Sequence, residues 1–146
     1  MVNKIIRVTC QSENETKLVG QKIGELLKAH DLVEIIGDIG AGKTSFVKGL
    51  AKGLGISEIL SSPTFTIFQS YQNQAGRHLY HYDFYRLDEL GLMKYELAGA
   101  LSDESGVTVL EWAGSVQDIL PKKHITIQLL PICEKQRSIE IKGLNQ

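Results

Sequence analysis

The sequence predicts an α/β fold, a central β-sheet of mixed strand directions flanked by helices, within a single domain over residues 1–146. Three observations lead there. A continuous apolar run, Leu32–Ile36, passes straight into a glycine-rich turn and then into apolar residues at helical spacing. Short segments on either side alternate apolar and polar residues, as half-buried strands do. At 146 residues, 42% of them hydrophobic, the chain can bury one core without help from disulfides or metal.

Taken in order, Ile5–Cys10 reads as a short strand. Ser12 with Glu15 three residues on is a capping-box pattern that opens a helix, whose apolar face is Leu18, Val19, Ile23, Leu26 and Leu27. Leu32–Ile36 is a buried strand interrupted by Glu34. Beyond the glycine turn, Phe46, Val47, Leu50, Ala51 and Leu54 share a helical stripe, and Gly55 is a stop signal. Residues 64–71 and 77–87 look like two strands joined by the turn-rich segment 72–76, with a helix over 89–98. Residues 107–111 form an apolar strand, and 124–130 with 138–141 an antiparallel pair.

Formal net charge is −1 with no run of Lys or Arg, which disfavours a protein that grips DNA or RNA directly through many phosphates. Cys10 and Cys133 form no CxxC pair and read as reduced thiols. No apolar stretch reaches the length of a membrane span, and the N-terminus lacks a secretory pattern, so a cytoplasmic location is expected.

Gly37-Asp38-Ile39-Gly40-Ala41-Gly42-Lys43-Thr44 matches G-x-x-x-x-G-K-[ST], between a strand and a helix as the motif requires. Glycines let the backbone turn its N–H groups around phosphate oxygens at a helix N-terminus. Lys43 would reach the β/γ-phosphates, and the Thr44 hydroxyl would join Mg²⁺. A guanine-reading N-K-x-D is missing from the chain, so ATP follows by elimination. Asp103-Glu104-Ser105-Gly106 matches D-x-x-G formally but precedes its strand, and reads as a turn.

Two acidic positions stand out. Glu111 ends the apolar strand, where a carboxylate can hold Mg²⁺ directly or through water, orient an attacking water, or simply face solvent. Trp112 beside it reads first as a core aromatic. In RHLYHYDFYRL, Arg77 to Leu87, alternation puts His81, Asp83 and Tyr85 on one face and Tyr80, Tyr82 and Phe84 on the other. The polar face is either a structural hydrogen-bonded cluster or part of a site; Arg86 faces phosphate or solvent. Ser62, Thr64 and Thr66 around Pro63 lie in the interval that often supplies a γ-phosphate-sensing hydroxyl, and a plain strand lead-in is the alternative.

GDIGAGKTSF, SPTFT, HYDFYRLD and VLEW, in that order over nearly the whole chain, resemble the TsaE (YjeE) family, bacterial ATPases of tRNA threonylcarbamoyladenosine biosynthesis. The resemblance implies a P-loop α/β domain that binds ATP with Mg²⁺ and hydrolyses it slowly. It implies TsaD- and TsaB-type partners, with tRNA met only through that complex. Lys43 and the backbone of Gly40, Ala41 and Gly42 would cradle phosphates, with Thr44 and Glu111 on Mg²⁺. Asp83 would serve hydrolysis, and Trp112 the site around Glu111. Thr64 and Thr66 would belong to the nucleotide-sensing loop, Arg137 would contact nucleotide, and Glu13 would lie near the adenine. Ser45 stands where a second Thr is frequent, and Glu34 makes the strand before the loop less apolar than usual. A small-molecule kinase shares the loop but would usually add an Arg-rich lid, which the chain does not clearly show.

Overall fold

The computed structural model describes residues 4–38, 40–57, 68–85 and 91–144. The elements run β1 (Ile5–Cys10), α1 (Glu13–Leu26), β2 (Leu32–Ile36), α2 (Lys43–Gly53), β3 (Phe68–Gln72), β4 (His78–Asp83), α3 (Gly91–Leu101) and β5 (Gly106–Glu111). A short 3₁₀ helix (Ala113–Ile119), β6 (Ile125–Pro131) and β7 (Arg137–Lys142) complete them. Among the described residues, seven strands join one sheet in the order β1-β7-β6-β2-β5-β4-β3. Its centre, β6-β2-β5-β4, is parallel, while β7 and β1 on one side and β3 on the other add antiparallel edges. This is the mixed sheet expected, and parallel pairing is what brings the carboxyl ends of β2, β4 and β5 to one side.

Alternation along these strands divides the core. Val33, Ile35, Leu79, Val107 and Val109 face α1 and α2, whereas Leu32, Tyr82, Leu110 and Phe84 face α3 and the 3₁₀ helix. The aromatic face of β4 is as expected: Phe68, Tyr82 and Phe84 stack with ring centroids 4.6 and 5.7 Å apart.

Helix α1 begins as its cap predicts, with Ser12 Oγ accepting from Glu15 N at 3.2 Å. The Glu15 carboxylate returns to the amide of Gln11. Its buried face is displaced from the one expected: Leu18 and Leu26 are exposed, and Thr16, Gly20, Ile23 and Gly24 are buried. The reason is backbone contact with α2. A Cβ on Gly20 or Gly24 would lie 2.3 and 2.2 Å from the carbonyl oxygens of Phe46 and Leu50. One on Gly49 or Gly53 would lie 2.0 and 2.1 Å from those of Lys17 and Gln21. Large side chains cannot occupy that seam.

Other boundaries shift. The strand expected over 77–87 leaves the sheet at Asp83, because Tyr85 N donates back to Asp83 Oδ1 at 2.9 Å and closes a turn. Helix α3 runs Gly91–Leu101 among the described residues and ends beyond the expected Ala98. Glu34, unexpected in a buried strand, accepts from His124 Nε2 at 2.9 Å and Gln117 Nε2 at 3.0 Å beneath the 3₁₀ helix. Burial of a carboxylate is tolerable when both oxygens are bonded in this way. The interval with Ser62, Thr64 and Thr66, together with Ile39 and Arg86, lies outside the described residues.

Candidate functional site

The glycine turn leaves β2 at Gly37 and closes with Ala41 N donating to Asp38 O at 3.0 Å. Gly40 and Gly42 have φ of 84° and 97°, a region L side chains rarely adopt, so these positions call for glycine. Gly42 caps α2 without a side-chain bond, leaving the first amides of the helix for an anion. Arg137, at the start of β7, donates from Nη2 to Gly40 O at 3.0 Å and from Nε to Ala41 O at 3.1 Å. Its Nη1 also reaches the carbonyls of Cys133, Glu134 and Gln136. Arg137 thus ties the turn to the far strand through backbone oxygens.

Lys43 opens α2 and is buried, with Nζ donating to Gly37 O at 2.6 Å. The ammonium lies 3.8 Å from the centre of the Trp112 ring, a cation–π contact, and Tyr85 packs on that ring at 4.8 Å. Burial lowers the Lys43 pKa, opposed by the charges of Glu111, Asp83 and Asp38. Trp112 is half-buried and has φ 55°, ψ 47°, a left-handed conformation unusual for a bulky residue. It packs partly against the core but faces Lys43, so its reading as a core aromatic is incomplete.

Strands β4 and β5 pair in parallel with Asp83 opposite Glu111. Glu111 is 4% exposed, and His81 Nε2 meets its Oε2 at 2.6 Å. Asp83 has its pKa raised by burial; the Tyr85 amide opposes this, Glu111 reinforces it, and His81 and Lys43 oppose it further. Two carboxylates and one ammonium therefore meet at the carboxyl ends of adjacent strands. Shifted groups such as Asp83 and Lys43, gathered with a further buried carboxylate, mark a functional site more often than a structural one.

At the neighbouring rim, Ser45 Oγ donates to Glu13 Oε1 at 2.9 Å, linking the N-terminus of α1 to the loop helix. Thr44 is half-buried and Asp38 exposed. Asp103 is in the turn expected of it, at the opposite end of β5, accepting from Tyr80, from His78 Nδ1 at 2.8 Å and from Ser105 N at 2.9 Å. Burial and the bond to Asp103 push the Tyr80 phenol up to about 12. The sequence carried no signal for the Lys43–Trp112 contact, since nothing local foretells a left-handed Trp. The His81–Glu111 contact joins residues 30 apart and depends on strand order.

Fold and site define an α/β protein with a mixed sheet, flanking helices and acidic strand ends beside a glycine-rich turn. A family model described as threonylcarbamoyl adenosine biosynthesis protein TsaE matches residues 10–139, and the chain belongs to the TsaE family. The tRNA threonylcarbamoyladenosine biosynthesis protein TsaE of Bacillus subtilis (strain 168) is 38% identical over 129 residues, covering 86% of this chain and 77% of that one. Its namesake in Treponema pallidum (strain Nichols) is 38% identical over 136 residues, 93% and 99% of the two chains. The crystal structure of YdiB from Bacillus subtilis superposes with a TM-score of 0.79 at 32% identity, covering 99% of this chain and 89% of that one.

Proposed function

We propose that this chain binds ATP with Mg²⁺ and hydrolyses it slowly, serving tRNA threonylcarbamoyladenosine biosynthesis beside TsaD- and TsaB-type partners. One observation carries the ATPase reading: Lys43 and the glycine turn stand beside Glu111 and Asp83, which pair across β5 and β4. Family membership supplies the pathway. The near-neutral net charge of −1 favours meeting tRNA through the complex and not alone.

The donor set suits magnesium. Thr44 and Glu111 offer hard oxygen atoms, and magnesium commonly takes one or two carboxylates together with phosphate oxygens. When bound, the ion would neutralise phosphate charge. Lys43 would exchange the Gly37 carbonyl and Trp112 face for phosphate oxygens. Asp83, whose proton affinity burial raises, would orient the attacking water and take its proton.

The test measures phosphate release and ATP affinity together. Wild type is expected to release phosphate to water only with Mg²⁺, and binding should change the emission of Trp112, the sole tryptophan. Lys43→Ala should weaken ATP binding roughly tenfold or more, equivalent to about 1.4 kcal/mol. Glu111→Ala and Asp83→Ala should keep affinity within a few-fold yet abolish hydrolysis and complementation. Phosphate transfer to a small acceptor faster than to water would instead indicate a kinase, and failure to co-purify with TsaD and TsaB would remove the partnership.

A further inference from the structure

From the geometry at the end of β5 we infer that His81 is a positioning residue, whose Nε2–H fixes the Glu111 carboxylate in its working orientation. The catalytic consequence rests on the ATPase reading of this site; the contact itself does not. His81 is 3% exposed and lies on the β4 face that also carries Leu79, diagonal across the parallel ladder from Glu111. The 2.6 Å contact to Glu111 Oε2 is the hydrogen bond its ring makes, and Nδ1 is buried with no partner among the described residues. A ring present for packing would be better served by an apolar side chain, because a buried nitrogen without a partner costs about 1–3 kcal/mol. A ring present to hold a carboxylate needs only its Nε2–H.

The arrangement fits what Glu111 must do. Held at Oε2, the side chain cannot swing among rotamers, and Oε1 is left as its remaining oxygen. Partners of this kind, which orient a ligating or catalytic group without touching substrate, typically change activity or metal affinity 10–100-fold when removed.

Two near-isosteres separate the positioning role from simple filling. Glutamine places its amide nitrogen about where Nε2 lies, whereas asparagine reaches only to the Nδ1 position. His81→Gln should therefore keep kcat within about threefold of wild type, while His81→Asn and His81→Leu should lower it about thirtyfold. ATP affinity without Mg²⁺ should stay within about twofold in all three, and the Mg²⁺ concentration for half-maximal binding should rise in Asn and Leu but not in Gln. Equal kcat in Gln and Asn variants, or a loss of metal-free affinity matching the loss of kcat, would overturn the proposal. A nucleotide-independent readout accompanies these. The wild-type imidazole should give a solvent-protected Nε2–H resonance at low field that disappears in Glu111→Ala. Its absence from wild type would also overturn the pairing. If the resonance is present and wild type neither binds nor hydrolyses ATP, the ATPase reading fails and the pairing stands.

Discussion

At the scale of single residues, the site holds charges that weigh against the fold. Asp83 binds protons more readily folded than unfolded, so its contribution is fully present below the ordinary carboxylate pKa and is lost as pH rises through the raised folded value. At neutral pH the ionised carboxylate is therefore unfavourable where it sits. Lys43 has the opposite sign: its pKa is lowered, and its contribution is present above the ordinary lysine value and lost as pH falls through the folded one. Asp83→Asn keeps an oxygen for the Tyr85 amide and removes the charge. We expect it to melt higher than wild type at pH 7, with the difference shrinking as pH approaches 4, while hydrolysis is lost. A thermal melt across that range decides it; a lower melting temperature at pH 7 would show that attraction to Lys43 outweighs burial.

At the scale of elements, the joint between α1 and α2 is the most constrained part of the fold. Four glycines, Gly20, Gly24, Gly49 and Gly53, let the two backbones touch. This joint also carries the Ser45–Glu13 bond, so α1 is seated against the first turn of the loop helix. Gly49→Ala would put a Cβ 2.0 Å from the Lys17 carbonyl oxygen, a rigid backbone atom that cannot step aside. The helices must separate, at a cost of about 1–3 kcal/mol. Leu18→Ser, on the exposed side of the same helix, should fall within about 0.5 kcal/mol of wild type. Denaturant titration of the pair tests the assignment; equal stabilities would mean that the seam is looser than the distances imply.

For the molecule as a whole, the proposed nucleotide binding should show as stability, because a nucleotide held by β2, α2, β4 and β5 together would have no counterpart in the unfolded chain. At a hundredfold excess over Kd, ATP with Mg²⁺ adds about 2.7 kcal/mol. In a chain of this length that amounts to roughly 5–11 °C in melting temperature. Lys43→Ala, at least tenfold weaker, should lose about half of this shift or more at the same ATP concentration, and an undiminished shift would place binding elsewhere.

How much of this was legible in the chain depended on whether the signal was local. Gly37 to Thr44 carries its whole pattern locally, because positive φ, a helix start and a lysine follow one another in sequence. The strand before it was visible as a continuous apolar run and the helix after it through helical spacing; Glu111 was marked as an acidic strand end and Asp83 as part of the polar face of a strand. Other features required the third dimension. Leu18 and Leu26 satisfied a helical apolar period and yet face solvent, because backbone contact through glycines leaves no periodic hydrophobic trace. Glu34 looked like a defect in a buried strand until His124 and Gln117 arrived from later in the chain. The pairing of Asp83 with Glu111 and the bond from His81 follow from placing β4 beside β5, and the Trp112 face over Lys43 from placing β5 beside β2. The sequence alone determined the kinds of group available and the class of fold. Tertiary structure decided which groups meet, because parallel neighbours are chosen by long-range packing and not by the residues next in line.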